Sequence, residues 1–246
     1  MKKRFHSVVI LALIKWSGIA ITDGRNKVGG SVLTKTRAGA AVRNKVTPIN
    51  RRSSAQSAVR GVFTSLSQGW RLLTQVQRNG WNAAAAAGFT VTNIFGDIVH
   101  KSGISLYISL NTNLVNIGQG INSSVPSQSD SPAPMTRIDP VSDVSSTNLF
   151  LFGVIDGGST VPADNTVLVY ASPKLSPGVS FVRSQLRILT TIAAAADTET
   201  TNLWATYTAK YGAPAVGDNI VISAQVINNN SGIAGTPIQN TVVISA

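Results

Sequence analysis

Residues 219–232 read NIVISAQVINNNSG, and residues 236–245 read TPIQNTVVIS. Two runs rich in Val and Ile flank the polar cluster Asn228-Asn229-Asn230-Ser231-Gly232. β-branched residues favour extended chain, while Asn and Gly favour turns, so this segment predicts a strand, a turn and a second strand. The same grammar runs upstream. Candidate strands are 148–155, 166–170, 179–189, 219–226 and 241–245, with Asp156-Gly157-Gly158 as another turn cluster. One helix interrupts the set: across 197–211, Leu203, Trp204, Tyr207 and Tyr211 recur at helical spacing before Gly212.

Short strands at regular intervals predict an antiparallel β-sandwich of immunoglobulin or fibronectin type over residues 148–246. Its terminal hairpin is similar to the last hairpin of a fibronectin-type module. Residues 121–147, rich in Gly, Ser, Pro and Asp with Pro126, Pro132 and Pro134, read as a linker.

Ahead of it, residues 53–120 form a helical region. Ala55, Val59, Val62, Phe63, Leu66, Trp70 and Leu73 recur at three- and four-residue steps after a cap at Ser53 or Ser54. Thr74 with Gln77 is a capping-box pair for a second helix through Trp81 and Ala83–Ala87, and Gly88 stops it. Trp70 and Trp81 are the expected core anchors. A short strand pair turns at Gly96-Asp97, and Ser102 caps a third helix carrying Tyr107, Leu110, Leu114 and Ile117; Ile104, Ile108 and Val115 also allow a strand there. Residues 1–52 are a basic, glycine-rich β-arm or hairpin, with residues 8–22 extended and turns at Asp23-Gly24 and Gly29-Gly30. The whole chain is thus predicted to be α+β.

Charge divides along the same lines. Residues 1–101 hold 16 Lys and Arg with 2 acids, a net of +14; residues 102–246 hold 5 with 8 acids, a net of −3. The basic half suits a polyanion, an anionic membrane or an acidic neighbouring subunit, and a solvated basic face is the plainer alternative. Arg25, Lys27, Lys35, Arg37, Arg43, Lys45, Arg51 and Arg52 are the candidate interface or phosphate contacts.

Catalytic chemistry finds little purchase. The chain has no Cys, and its only histidines are His6 and His100, which excludes thiolate chemistry and a multi-histidine metal site. Residues 24–31 miss a phosphate-binding loop because Gly30 stands where its Lys belongs. Asp139, Asp143, Asp156 and Asp164 read as turn and cap residues rather than a carboxylate pair across a cleft. No Ser lies in a nucleophile elbow. Within residues 1–60 only Phe5 and Trp16 are available to stack on bases, which disfavours a single-strand platform. Met1-Lys2-Lys3-Arg4 before residues 8–14 imitates a signal peptide, but Lys15 interrupts the apolar run and no clean cleavage site follows. No apolar run approaches the roughly 20 residues of a membrane span. The expectation is a protein with no catalytic residue, no cofactor, no metal, no small-molecule substrate and no membrane span.

Several stretches together carry a resemblance. They are Ala12-Leu13-Ile14-Lys15-Trp16-Ser17-Gly18, Asp23 through Val32, Arg43-Asn44-Lys45-Val46-Thr47-Pro48, Ser54 through Arg60, Trp70 to Trp81, Phe95-Gly96-Asp97, Ser102 through Tyr107 and Asn111, and Ala171-Ser172-Pro173 with Tyr207 through Gly212. The chain resembles a family of small bacteriophage and prophage proteins, many from phages of Bacteroidota. Its pattern is a Gly-Lys-Val-Gly-Gly-type turn, an Ala-Gln-x-x-x-Arg helix and a Trp-flanked helical hairpin. Members often begin near Ala12, and Asn50-Arg51-Arg52-Ser53 is more basic than their usual Asn-Pro version. The resemblance implies a virion structural role, auxiliary capsid, head- or tail-associated, with other copies and other virion proteins as partners. A non-specific DNA-binding accessory protein and a secreted fibronectin-like adhesion module are the alternatives.

Overall fold

The computed structural model describes residues 11–14, 26–36, 39–45, 52–92, 95–127, 130–176, 179 and 182–245 of the chain. The protein is α+β, with helices and antiparallel sheets, and it divides into two compact units, Met1–Tyr107 and Ile108–Ala246. That division falls inside a helix rather than in the Pro-rich segment.

The first unit opens with strands β1 (Leu11–Ile14), β2 (Asn26–Val28), β3 (Ser31–Thr36) and β4 (Gly39–Asn44), in sheet order β1-β4-β3-β2. Of the extended run expected over 8–22, β1 is the described part. Gly29 and Gly30 join β2 to β3, and Gly29 has φ +58°. A two-residue hairpin loop with positive φ at its first residue and not at its second is of type II′, where glycine carries no Cβ penalty.

Helix α1 (Ser54–Leu72) is capped by Ser53, whose Oγ accepts from the Gln56 N–H at 3.3 Å. Leu73 turns the chain, and Thr74 opens α2 (Gln75–Ala87) with both halves of the capping box made. Gly88 ends it, its N–H donating to the Ala84 carbonyl. Strands β5 (Thr90–Thr92) and β6 (Ile98–His100) pair antiparallel around a turn at Gly96. Helix α3 (Gly103–Asn116) then starts from Ser102, whose Oγ accepts from the Ser105 N–H. The region is a helix, and the strand alternative there is set aside.

Leu66, Leu73, Trp81, Ala85, Leu106 and Tyr107 are buried. Tyr107 packs between both tryptophans, 5.5 Å from Trp70 and 5.3 Å edge-on from Trp81. Trp81 is fully buried and Trp70 half-buried, so both serve as anchors. The apolar stripe of α1 departs from expectation. Its C-terminal half is covered, but Val59 and Phe63 are 72% and 56% exposed.

In the second unit, α3 ends in a Schellman arrangement. Gln119 N–H reaches the Leu114 carbonyl, Gly118 N–H reaches Val115, and Gly118 takes φ +76°. Buried Asn111 exchanges two hydrogen bonds with the Asn122 backbone. Strands β7 (Met135–Ile138), β8 (Val141–Asp143), β9 (Asn148–Phe150) and β10 (Gly153–Ile155) follow, with β7 paired to β10 and β8 to β9. Then come β11 (Asn165–Ala171), β12 (Arg187–Ile192), α4 (Trp204–Tyr211), β13 (Asn219–Asn228) and β14 (Ile238–Val243), and the four strands form one antiparallel sheet ordered β12-β11-β13-β14. Val167, Val169 and Ala171 of β11 and Ile220, Ile222, Ala224 and Val226 of β13 face one core, which Ile138, Leu149, Leu151, Ile155, Leu203 and Tyr207 complete.

Four expectations are corrected here. Residues 135–143 are not linker: β7 and β8 lie there, β7 paired with β10 across the intervening strands and β8 paired with β9 in a hairpin. Residues 148–155 form two strands, because Phe152 turns left-handed at φ +45° and each half joins a different partner. Of the strand placed at 179–189, the described strand starts at Arg187, and 182–186 are not in it. Val182 and Leu186 instead pack on Val221 from a turn, so their apolarity serves the core without a ladder. The helix placed at 197–211 begins at Trp204. Asp197 Oδ1 accepts from Glu199 N–H and Asn202 Oδ1 from Trp204 N–H, local bonds that compete with helix.

Candidate functional site

Antiparallel partners place their side chains on the same side of a sheet, and neighbours along a strand alternate. Lys27 pairs with Val32, and Val32 pairs with Arg43. Lys27 and Arg43 therefore share one face, two strands apart, on the order of 10 Å at the usual strand spacing. Both are exposed. Lys45 continues the ladder past β4, its N–H bonding the Gly30 carbonyl at 2.8 Å, and it too is exposed. Lys35 is opposite Ala40, three positions from Val32, so it stands on the other face. Arg52 belongs to the entry of α1, exposed and at φ +48° just before the Ser53 cap. Arg25, Arg37 and Arg51 lie outside the described residues. Of the eight candidates, the sheet brings Lys27 and Arg43 together and sends Lys35 away.

Residues 24–96 contain no Asp or Glu at all. Every charged side chain within this stretch is therefore a cation. Lys presents a compact charge with three donors and Arg a planar fork, both suited to phosphate or carboxylate oxygens. On an exposed surface such contacts are individually weak and screened by salt.

Elsewhere several polar groups are committed to structure. Asp139 pairs with Arg137 at 2.6 Å. Asp143 accepts from the hydroxyls of Ser146 and Ser145 at 2.7 and 2.8 Å, and these bonds hold its carboxyl below the ordinary range. Asp156 sits left-handed in the turn after β10, and the Asp164 carbonyl accepts from Asn229. Buried Thr198 donates toward the Gly153 and Ser159 carbonyls, and Tyr207 and Tyr211 donate to Ser172 and Ala171. Burial pushes both tyrosines up, so they stay protonated. An open groove of about 570 Å³ beside β6 and the start of α3 is lined by Asn82, His100, Lys101 and Ser102. Ser102 is already engaged with Ser105 there. Among the described residues no cluster of three His, Asp or Glu is placed to hold a metal, and no helix is long and apolar enough to cross a membrane.

Sequence reasoning missed two exposed apolar features. Val59 and Phe63 follow a core-like spacing but remain open, and Val141 and Val243 are 51% and 60% exposed. Periodicity reports that a face is apolar; it does not report whether another element reaches it. No protein-family model, curated protein or solved structure matches the chain.

Proposed function

We propose that this chain is a non-enzymatic structural protein of a bacteriophage particle, head- or tail-associated, that assembles with copies of itself and with other virion proteins. The observation that carries the reading is contact surface in excess of what one copy buries. A cationic sheet face with Lys27 and Arg43 lies in a stretch without carboxylates, and an apolar helix stripe stands open beside Arg60. Repetition in a symmetric shell multiplies such weak contacts. The β unit serves as the rigid module. We read it as a sandwich of immunoglobulin or fibronectin kind, a reading supported by the two-faced burial of β11 and β13. The test is mass spectrometry of purified particles, in which the chain is present at structural copy number; its absence overturns the reading.

The Lys27–Arg43 face also favours a second reading, a non-specific DNA-binding accessory protein. In that case a shift on duplex DNA weakens steeply with salt and disappears on loss of residues 1–60.

A further inference from the structure

Among the described residues, the two most exposed large apolar side chains stand at one corner. Leu72 is 86% exposed and Val76 81%. Leu72 is the last residue of α1 and Val76 the second of α2, so only Leu73, Thr74 and Gln75 separate them. Leu73 is buried and Thr74 is spent on the capping box, which fixes the corner that carries the pair. Cations frame it. Arg71 precedes Leu72 and is exposed; Arg78 follows Val76 by two residues and is half-buried. Neither arginine has a hydrogen-bond or ion-pair partner among the described residues, and the Arg78 Nε is buried without one. The nearest acids in sequence are Asp23 and Asp97.

We propose that this corner is a contact for an anionic lipid surface. Leu72 and Val76 enter the boundary between headgroups and acyl chains, while Arg71 and Arg78 meet headgroup phosphates. The inference goes beyond the assembly reading and does not rest on it. Area decides against a protein occupant: two aliphatic side chains offer on the order of 300 Å², whereas a stable protein interface takes about 800 Å² from each partner. A bilayer needs no matching groove and accepts an apolar tip ringed by cations. Charge decides the lipid, because unpaired guanidiniums gain charge-assisted hydrogen bonds from phosphate. The backbone of duplex DNA would serve the arginines equally well, but its phosphates leave Leu72 and Val76 in water.

The Cys-free sequence makes the test clean. Full-length Gln75→Cys protein carries an environment-sensitive dye between the two aliphatic residues, and full-length Val59→Cys protein carries it elsewhere on α1, at a site 72% exposed. Each is mixed with vesicles of equal parts phosphatidylglycerol and phosphatidylcholine, and with phosphatidylcholine alone. The expected result is a blue shift at position 75 on the anionic vesicles, several-fold larger than at position 59 and larger than on phosphatidylcholine. In sedimentation with the same vesicles, the double variant Leu72→Ser, Val76→Ser keeps every charge yet lowers the partition coefficient at least about tenfold. Arg71→Ala lowers it about fivefold on the anionic vesicles alone. Thermal melts by circular dichroism establish that each variant is folded. Partitioning that survives the double serine variant overturns the proposal in favour of diffuse attraction by the basic stretch. Equal shifts at the two labels, or no binding to anionic vesicles, overturn it as well. A shift at position 75 with duplex DNA and none with vesicles reassigns the corner to nucleic acid. None of these outcomes bears on the presence of the chain in particles, so the two readings fail separately.

Discussion

Among the described residues are two four-stranded antiparallel sheets, and they are built to different ends. In the sheet of β11–β14, the central strands bury nearly every residue: only Tyr170 of β11 is not buried, and only Asn219 and Gln225 of β13. In the sheet of β1–β4, Ala41 is buried while Lys27, Lys35, Arg43 and Asn44 are exposed. The first sheet is closed on its own core. In the second, Ala41 is the one buried residue among those whose burial is described, and the sheet carries the charge. A sheet that buries both faces is a scaffold, whereas a sheet that leaves cations open presents contact surface.

The sharpest way to break this contrast is to remove equal volume from each sheet. Ile222→Ala in β13 is expected to cost about 2–5 kcal/mol, because Ile222 is fully buried in the main core. Leu33→Ala in β3 is expected to cost about 1 kcal/mol or less, because Leu33 is only half-buried. Chemical denaturation of both variants decides it; equal losses remove the distinction.

The next effect concerns the ties of α3 in the second unit. Gly232 takes φ +71°, and an added Cβ would lie 2.4 Å from the Leu110 carbonyl oxygen. The left-handed backbone alone costs a non-glycine residue roughly 1–2 kcal/mol, and the overlap adds to it. Gly232→Ala is expected to lower the melting temperature and to expose the Asn113 side chain, which now donates to the Gly232 carbonyl at 2.9 Å. Smaller still is Thr74→Ala, which removes a capping box at the α1–α2 corner and is expected to cost about 1 kcal/mol.

These cases also separate what was legible in the sequence from what was not. The Thr74–Gln77 box, the Ser53 and Ser102 caps and the Gly29-Gly30 turn are local chemistry, so residue identity a few positions apart suffices. The hairpin of β13 and β14 was legible because Ile and Val flank an Asn-rich turn. The strand Met135–Ile138 was not, because it pairs with Gly153–Ile155 across intervening β8 and β9. Nothing local marks that pairing among prolines. The candidate contact residues were legible as charge but not as faces. One residue of register decides whether Lys35 joins Lys27 or opposes it, and composition carries no register.

Acid probes the same contrast through one group. The folded state lowers the Asp143 pKa through its Ser146 and Ser145 bonds. A depressed carboxyl contributes stability that is present above the unfolded pKa, near 3.8, and is lost as pH falls through the lower folded value. Because Asp143 is solvent-facing, the effect is small and confined to the β8–β9 turn. Hydrogen exchange at Ser145 and Ser146 is expected to rise below about pH 4, and Asp143→Asn to flatten that dependence.

The smallest expected change in stability belongs to the pair that carries the most functional weight. Lys27 and Arg43 are exposed on a sheet face, so replacing both with Ala is expected to move stability by no more than about 0.5 kcal/mol. Their loss instead separates the two readings of the basic region. If the face binds duplex DNA, the slope of log affinity against log salt falls by about 1.8, since each phosphate contact contributes about 0.9. If the face meets protein, the DNA slope stays as it was and the variant is incorporated less well into particles. A double variant that changes neither DNA binding nor incorporation returns the charge to plain solvation, and the contrast between the two sheets then describes stability alone.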